Sequence, residues 1–200
     1  MNNSINKSAK LIAVFIGILS AGDTLQVDLE NSQINWIGRK VTGEHSGTLK
    51  LSEGWIVMEK NTVLGGKFVF DMASITNTDI ESPEWKQKLE DHLKSEDFFH
   101  TDSFPQAILE IKGLQLVFIE NSKNSEQILA DLTIRGITHE IKFPFELTQS
   151  QNNFTAKGSV DIDRTLYNIN YKSGKFFDEL GDKLIYDNFT VQFKVQTRGK

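Results

Sequence analysis

From Asp28 onward the chain alternates apolar with polar residues in short runs. These are "INWIG" (34–38), "GTLKL" (47–51), "WIVMEK" (55–60), "GKFVFDM" (66–72), "AILEIK" (107–112), "ILADLTIR" (128–135), "EIKFPFEL" (140–147), "FTAKGSVDID" (154–163) and "NFTVQFKVQT" (188–197). Turn-forming clusters such as "SEG", "NT", "RGIT" and "SQNN" separate them. A period of two is that of a strand with one buried face, so the pattern predicts about nine strands. Helical spacing is confined to two places. "SPEWKQKLEDHLKS" offers Ser82 as N-cap, Pro83 at the first helical position, and Trp85, Leu89 and Leu93 at four-residue spacing. "KFFDELGDK" (175–183) suits one or two helical turns. Many short strands with little helix make an all-β domain, an antiparallel barrel or sandwich of about eight strands, with a helix near 83–94.

The inward faces carry rings. Phe68, Phe70 and Met72 share one strand face, Ile141, Phe143, Phe145 and Leu147 a second, and Phe189, Val191, Phe193 and Val195 a third. In "EIKFPFEL" a slip of one residue would bury Glu140, Lys142 and Glu146, so the register is well specified. Pro144 has no N–H for a ladder and points to an edge or a local opening. The chain has 14 phenylalanines against three tryptophans and three tyrosines. Rings without a polar handle suit a wall against hydrocarbon, and they equally suit a packed core. More rings sit in the irregular stretch "HLKSEDFFHTDSFPQA" (92–107), which holds Phe98, Phe99 and Phe104, and the pair recurs as Phe176 and Phe177. Both pairs are expected to be buried, either sealing a cavity or packing a helix on the barrel wall.

The first residues differ in kind. "MNNSINKSAK" is basic, 11–19 is continuously apolar, and small residues at 20 and 22 precede Asp23. That order reads as a secretory signal over 1–22, leaving an exported domain over 23–200, and the apolar run is too short for a membrane span. A net charge of −5 argues against a sequence-independent grip on nucleic acid. Without cysteine there is no disulfide framework or thiolate nucleophile. His45, His92, His100 and His139 lack metal-ligand spacing, and "DIDRTL" (161–166) has Leu166 where a calcium loop needs glycine. No catalytic or metal site is expected. Asp163 and Arg164 read as a structural ion pair, or Arg164 with Lys172 as contacts for a polar head group.

Five blocks in order resemble the YceI-like, polyisoprenoid-binding family. They are Trp36, Gly38, Lys40, Val41, Thr42, Gly43, His45 and Gly47, then "GGKFVFDMASITNTD" (65–79), "LEDHLKSEDFFHTDSFPQA" (89–107), "LADLTIRGITHEIKFP" (129–144) and "DRTLYNINYKSGKFFDELGDKLIYDNFTV" (163–191). The last block is similar to the form common in Bacteroidetes, which implies a Gram-negative periplasm. The resemblance implies an extended, lipocalin-like β-barrel whose lumen takes a long isoprenoid chain, such as a polyprenyl lipid or an isoprenoid quinone. Trp36, Phe68, Phe70, Met72, Leu93, Phe98, Phe99, Ile141, Phe143, Phe145, Tyr171, Phe176, Phe177, Phe189 and Phe193 would then form the lumen and its lid. No cofactor beyond that lipid is expected. Transient contact with a membrane surface and a homodimer are compatible with this reading. The alternative is an enzyme or redox accessory acting on an isoprenoid quinone with a partner.

Overall fold

The alternating segments join into one antiparallel sheet that curls until it meets itself. The computed structural model describes residues 22–117, 125–151 and 153–198, so the apolar run at 11–19 lies outside the described residues. The strands are β1 (Asp23–Gln26), β2 (Gln33–Lys40), β3 (Gly43–Glu59), β4 (Thr62–Asn77), β5 (Gln106–Val117), β6 (Ser125–Ile134), β7 (Ile137–Ser150), β8 (Asn153–Asp163) and β9 (Asn188–Gln196). Their order is β1-β3-β2-β9-β8-β7-β6-β5-β4, and pairing of β3 with β4 closes the last eight into a barrel. β2 pairs with the first half of β3 and β1 with its second half. Val27 then bridges to Thr197, so β1 and β2 share the slot between β3 and β9.

Two sequence expectations change here. "GTLKL" and "WIVMEK" are one 17-residue strand, and "SEG" between them is a bulge rather than a turn, with register shifts between Thr48 and Lys50 and between Leu51 and Glu53. A bulge bends a long strand enough to follow a barrel wall without ending it. The segment 175–183 forms only a 3-10 turn at Gly181–Lys183, and a second 3-10 turn at Arg164–Tyr167 follows β8. β1, with one buried side chain in four residues, is too short to show a period.

Helix α1 (Pro83–Lys94) begins where expected, with the Ser82 hydroxyl accepting from the Trp85 amide at 3.5 Å. It ends at Ser95, whose hydroxyl donates to the His92 carbonyl at 2.8 Å. Its three spaced apolar residues do not share one fate. Leu93 is buried, whereas Trp85 is 58% exposed. A four-residue step overshoots a turn by about 40°, so Trp85 and Leu93 lie about 80° apart around the axis.

The ladder between β7 and β8 is incomplete. β7 and β8 pair only from Phe145 opposite Gly158 to Ser150 opposite Asn153. Below that point β7 pairs with β6 alone, and β8 with β9 alone. Pro144 marks the point at which pairing stops, so the local opening its missing N–H suggested is present. Behind this seam stand Tyr167 and Ile169, both fully buried against Ile134, Ile162 and the rest of the core at that end.

Candidate functional site

The interior is hollow. A cavity of ≈ 210 Å³ runs through both hydrophobic clusters of the barrel, from Trp36, Met72 and Leu93 at the α1 end to Val63, Phe154 and Thr197 at the other. The inward faces expected from the period of two are those that line it: Phe68, Phe70 and Met72 on β4, Ile141, Phe143, Phe145 and Leu147 on β7, and Phe189, Val191, Phe193 and Val195 on β9. Phe145, Leu147 and Phe193 point inward yet stay only half-buried, as side chains facing empty space do. Phe143 meets Phe193 edge-on at 5.6 Å between centroids, on the same wall, where Gly158 of the intervening β8 leaves room for the Phe193 ring.

Trp36 shows how local sequence shapes this wall. Its neighbour across the ladder is Gly47, where a Cβ would collide with the indole and with the Thr76 carbonyl oxygen. The glycine lets the ring lie flat against β3 and donate its Nε1–H to that same carbonyl at 3.1 Å. A large ring thus lines the cavity without leaving a buried donor unpaired.

Above the α1 end the stretch 92–107 folds back on the helix. The Phe99 amide donates to the Leu93 carbonyl at 3.0 Å and the Thr101 amide to the Lys94 carbonyl at 2.9 Å. This places Phe98 and Phe99 in the cavity wall, Phe98 against His92 at 4.9 Å and Phe99 edge-on to Phe189 at 6.1 Å. Sequence reasoning missed what holds them. One nitrogen of Arg135, Nη1, donates to the carbonyls of Glu96, Phe98 and Asn168 at 3.2, 2.8 and 3.1 Å. A single guanidinium therefore ties the β6–β7 turn to both segments that close this end.

Three of the expected wall residues lie elsewhere. Tyr171 packs behind the wall against His92 and Phe98. Phe176 and Phe177 are 54% and 49% exposed and do not reach the cavity, which corrects the expectation that both phenylalanine pairs are buried. Their amides both donate to the Ser173 carbonyl, at 3.1 and 3.0 Å, in a turn that faces them outward. Phe98 has packing partners from α1 and the 164–187 segment, in His92 and Tyr171, whereas about half of each ring of the second pair stays uncovered. Wall positions the sequence reading left out include Ile34, Leu49, Val160, Ile162 and Ile185. Ile34 and Ile162 share period-two faces with Trp36 and Val160, and that signal was available.

Polar side chains in the wall are few and lie at the ends. Thr197, at the far end, accepts from the Phe154 amide at 2.9 Å. Arg39, Arg164, Tyr186 and Asn188 lie at the α1 end. Arg164 does not pair with Asp163. It is buried, and its donors go to the carbonyls of Ile169, Tyr186 and Ile185 at 2.6, 3.1 and 3.0 Å, with the Asp187 carboxylate 3.8 Å away. Burial lowers its pKa from the ordinary value, and Asp187 and Asp163 oppose that. Asp163 instead caps the 3-10 turn through Thr165 and pairs with Lys175 at 2.7 Å. Partial burial pushes against its charge, yet Lys175 and Thr165 hold its carboxyl below the usual range.

Residues 25–197 match the YceI-like domain model. The chain belongs to this family. Curated relatives include UPF0312 proteins of Staphylococcus aureus strain USA300, 33% identical over 89 residues, and of Staphylococcus epidermidis, 31% identical over 91. Each match covers 41% of this chain, and the chain spans about half the length of these relatives, 47%. Among solved structures, Burkholderia cenocepacia BcnA superposes with a TM-score of 0.66 at 18% identity, covering 86% of this chain and 99% of that one. A polyisoprenoid binding domain from Saccharophagus degradans, implicated in plant cell wall breakdown, gives a TM-score of 0.63 at 13% identity, covering 90% and 99%. At these identities the likeness carries the fold, a YceI-like barrel.

Proposed function

We propose that the protein binds one long-chain isoprenoid lipid, of polyprenyl or isoprenoid-quinone type, and holds the chain in its lumen for storage, shielding or transport in the periplasm. The observation that carries this is the hollow itself, a cavity lined by aliphatic and aromatic side chains whose few polar members lie at its two ends. The family and the polyisoprenoid-binding relative support it. A strand of nine residues such as β9, rising ~3.3 Å per residue and tilted near 40°, gives a lumen about 23 Å tall. That suits an extended chain. Hydrocarbon burial is worth roughly 0.8 kcal/mol per CH₂, so affinity should grow with tail length and depend little on the head group. Phe98 and Phe99 would close over the chain, and the head would rest near Arg39 and Asn188. No step of this role requires the chain to do chemistry.

Mass spectrometry of the protein recovered from periplasmic extract tests the reading in one preparation. The polypeptide should begin at or near Asp23, and solvent extraction should release a long-chain isoprenoid at about one per chain. Recovery of a lipid-free protein that takes up no added isoprenoid, or of a cytoplasmic form intact from Met1, would overturn it.

A further inference from the structure

The outside of the barrel is uneven in a way the lumen does not explain. Seven large apolar side chains are exposed among the described residues. Leu64 stands alone beside the β3–β4 turn. The other six all lie at the α1 end: Val41 in the β2–β3 turn, Trp85 in the first turn of α1, Leu166 after β8, and Phe176, Phe177 and Tyr186 before β9.

The segments that carry Val41, Leu166, Phe176, Phe177 and Tyr186 are joined to one another. The Val41 amide donates to the Leu184 carbonyl at 3.2 Å and the Tyr186 amide to the Arg39 carbonyl at 3.0 Å. Lys175, next to the phenylalanine pair, is held by Asp163 at 2.7 Å and Asp187 at 3.5 Å. Two neighbouring phenylalanines presented outward by a hydrogen-bonded turn forgo burial that the core could have supplied. Apolar surface gathered in this way marks a docking face.

We propose that this end of the barrel docks on a zwitterionic lipid bilayer, with Phe176, Phe177 and Tyr186 as the inserting rings. Two observations choose that occupant. First, the face is continuous with the lumen: Tyr186 and Asn188 are the cavity-lining residues classed as exposed, and both are here. Resting on the proposed role of the lumen, a tail passing between membrane and barrel stays out of water only if this mouth meets the bilayer. Second, the face is not polybasic. Arg39, Lys40, Lys172, Lys175 and Lys183 are matched by five carboxylates within 39–44 and 170–187, and the stretch 79–97 around Trp85 holds seven carboxylates against three lysines. A polybasic face would select anionic lipid, and one without that excess leaves adsorption to the rings, with tyrosine and tryptophan suited to the headgroup level.

The test is co-flotation of the purified protein with phosphatidylcholine–phosphatidylethanolamine vesicles, alongside a Phe176→Ser/Phe177→Ser double variant and, at the opposite end, Leu64→Ser. All three substitutions are at exposed positions, so the fold should persist. The protein and Leu64→Ser should float, with little change between low and high salt. The double variant should lose partitioning by roughly tenfold or more, since each buried ring contributes on the order of one decade. If the unsubstituted protein does not float, or the double variant floats equally well, the proposal is overturned. If no species floats but the double variant turns a dimer into a monomer in size-exclusion chromatography, a second copy occupies the face and the proposal is likewise overturned. Bound isoprenoid is quantified in the same samples. Lipid retained without flotation overturns docking and leaves the lumen's role standing, whereas flotation without lipid supports docking and counts against that role.

Discussion

Phe143 carries the sharpest distinction between a ligand-filled lumen and a dry core. It is buried in the cavity wall against Phe193, while its neighbour Lys142 faces solvent near Glu140. Phe143→Asp puts a carboxylate against hydrocarbon and should abolish lipid retention, whereas Lys142→Asp should leave it intact. Phe143→Leu should retain the lipid, whose tail can take up part of the vacated space. Equal lipid loss in the two Asp variants, both folded by circular dichroism, would exclude this assignment of faces. Tyr167 offers a test of the seam. It is buried, its hydroxyl has no hydrogen-bond partner among the described residues, and burial pushes its pKa up to about 12. Replacement by phenylalanine should leave stability unchanged or raise it by up to about 1 kcal/mol at neutral pH. The tyrosine's contribution is fully present below its ordinary pKa of 10.0 and is lost as pH rises from there through about 12. Denaturant unfolding at both ends of that window should therefore show a smaller alkaline loss in Tyr167→Phe than in the unsubstituted protein. Single residues also show where sequence ran out. Two "FF" pairs have similar local chemistry, and only tertiary partners bury one and expose the other.

Among elements, the closing segments depend on one side chain. Arg135 supplies hydrogen bonds to the loop after α1 and to the segment after β8, so Arg135→Ala should free both together. A stability loss of about 1 to 3 kcal/mol is expected, with faster transfer of bound isoprenoid to acceptor vesicles. Unchanged transfer at lowered stability would make Arg135 a packing residue only. This tie was not legible in "TIRGIT", because an arginine in a tight turn looks like ordinary solvated surface. The strands were legible, since a half-buried wall must alternate. Their lengths were less so, because a bulge and a turn draw on the same residues, as "SEG" shows. Helix α1 was announced by its cap and its proline, while the 3-10 turn at Arg164–Tyr167 has too few residues for any period to form.

For the whole molecule, alternation says which side of a strand faces in and nothing about how far apart opposite walls stand. Strand number, tilt and stagger fix that distance, and all three depend on pairing between distant segments. Hence alternation announced the ring-lined faces, whereas the hollow between them was legible only through the family resemblance. The half-made ladder between β7 and β8 has a further consequence. Closing a sheet into a barrel normally abolishes its edges, but β7 and β8 keep unpaired stretches that face each other across the seam. Unpaired strand edges recruit other chains into intermolecular sheets. Pro144 blunts one of them, and Tyr167 and Ile169 stand over the gap. Loosening the 3-10 turn is therefore expected to uncover a template for self-association, read as concentration-dependent oligomers in light scattering.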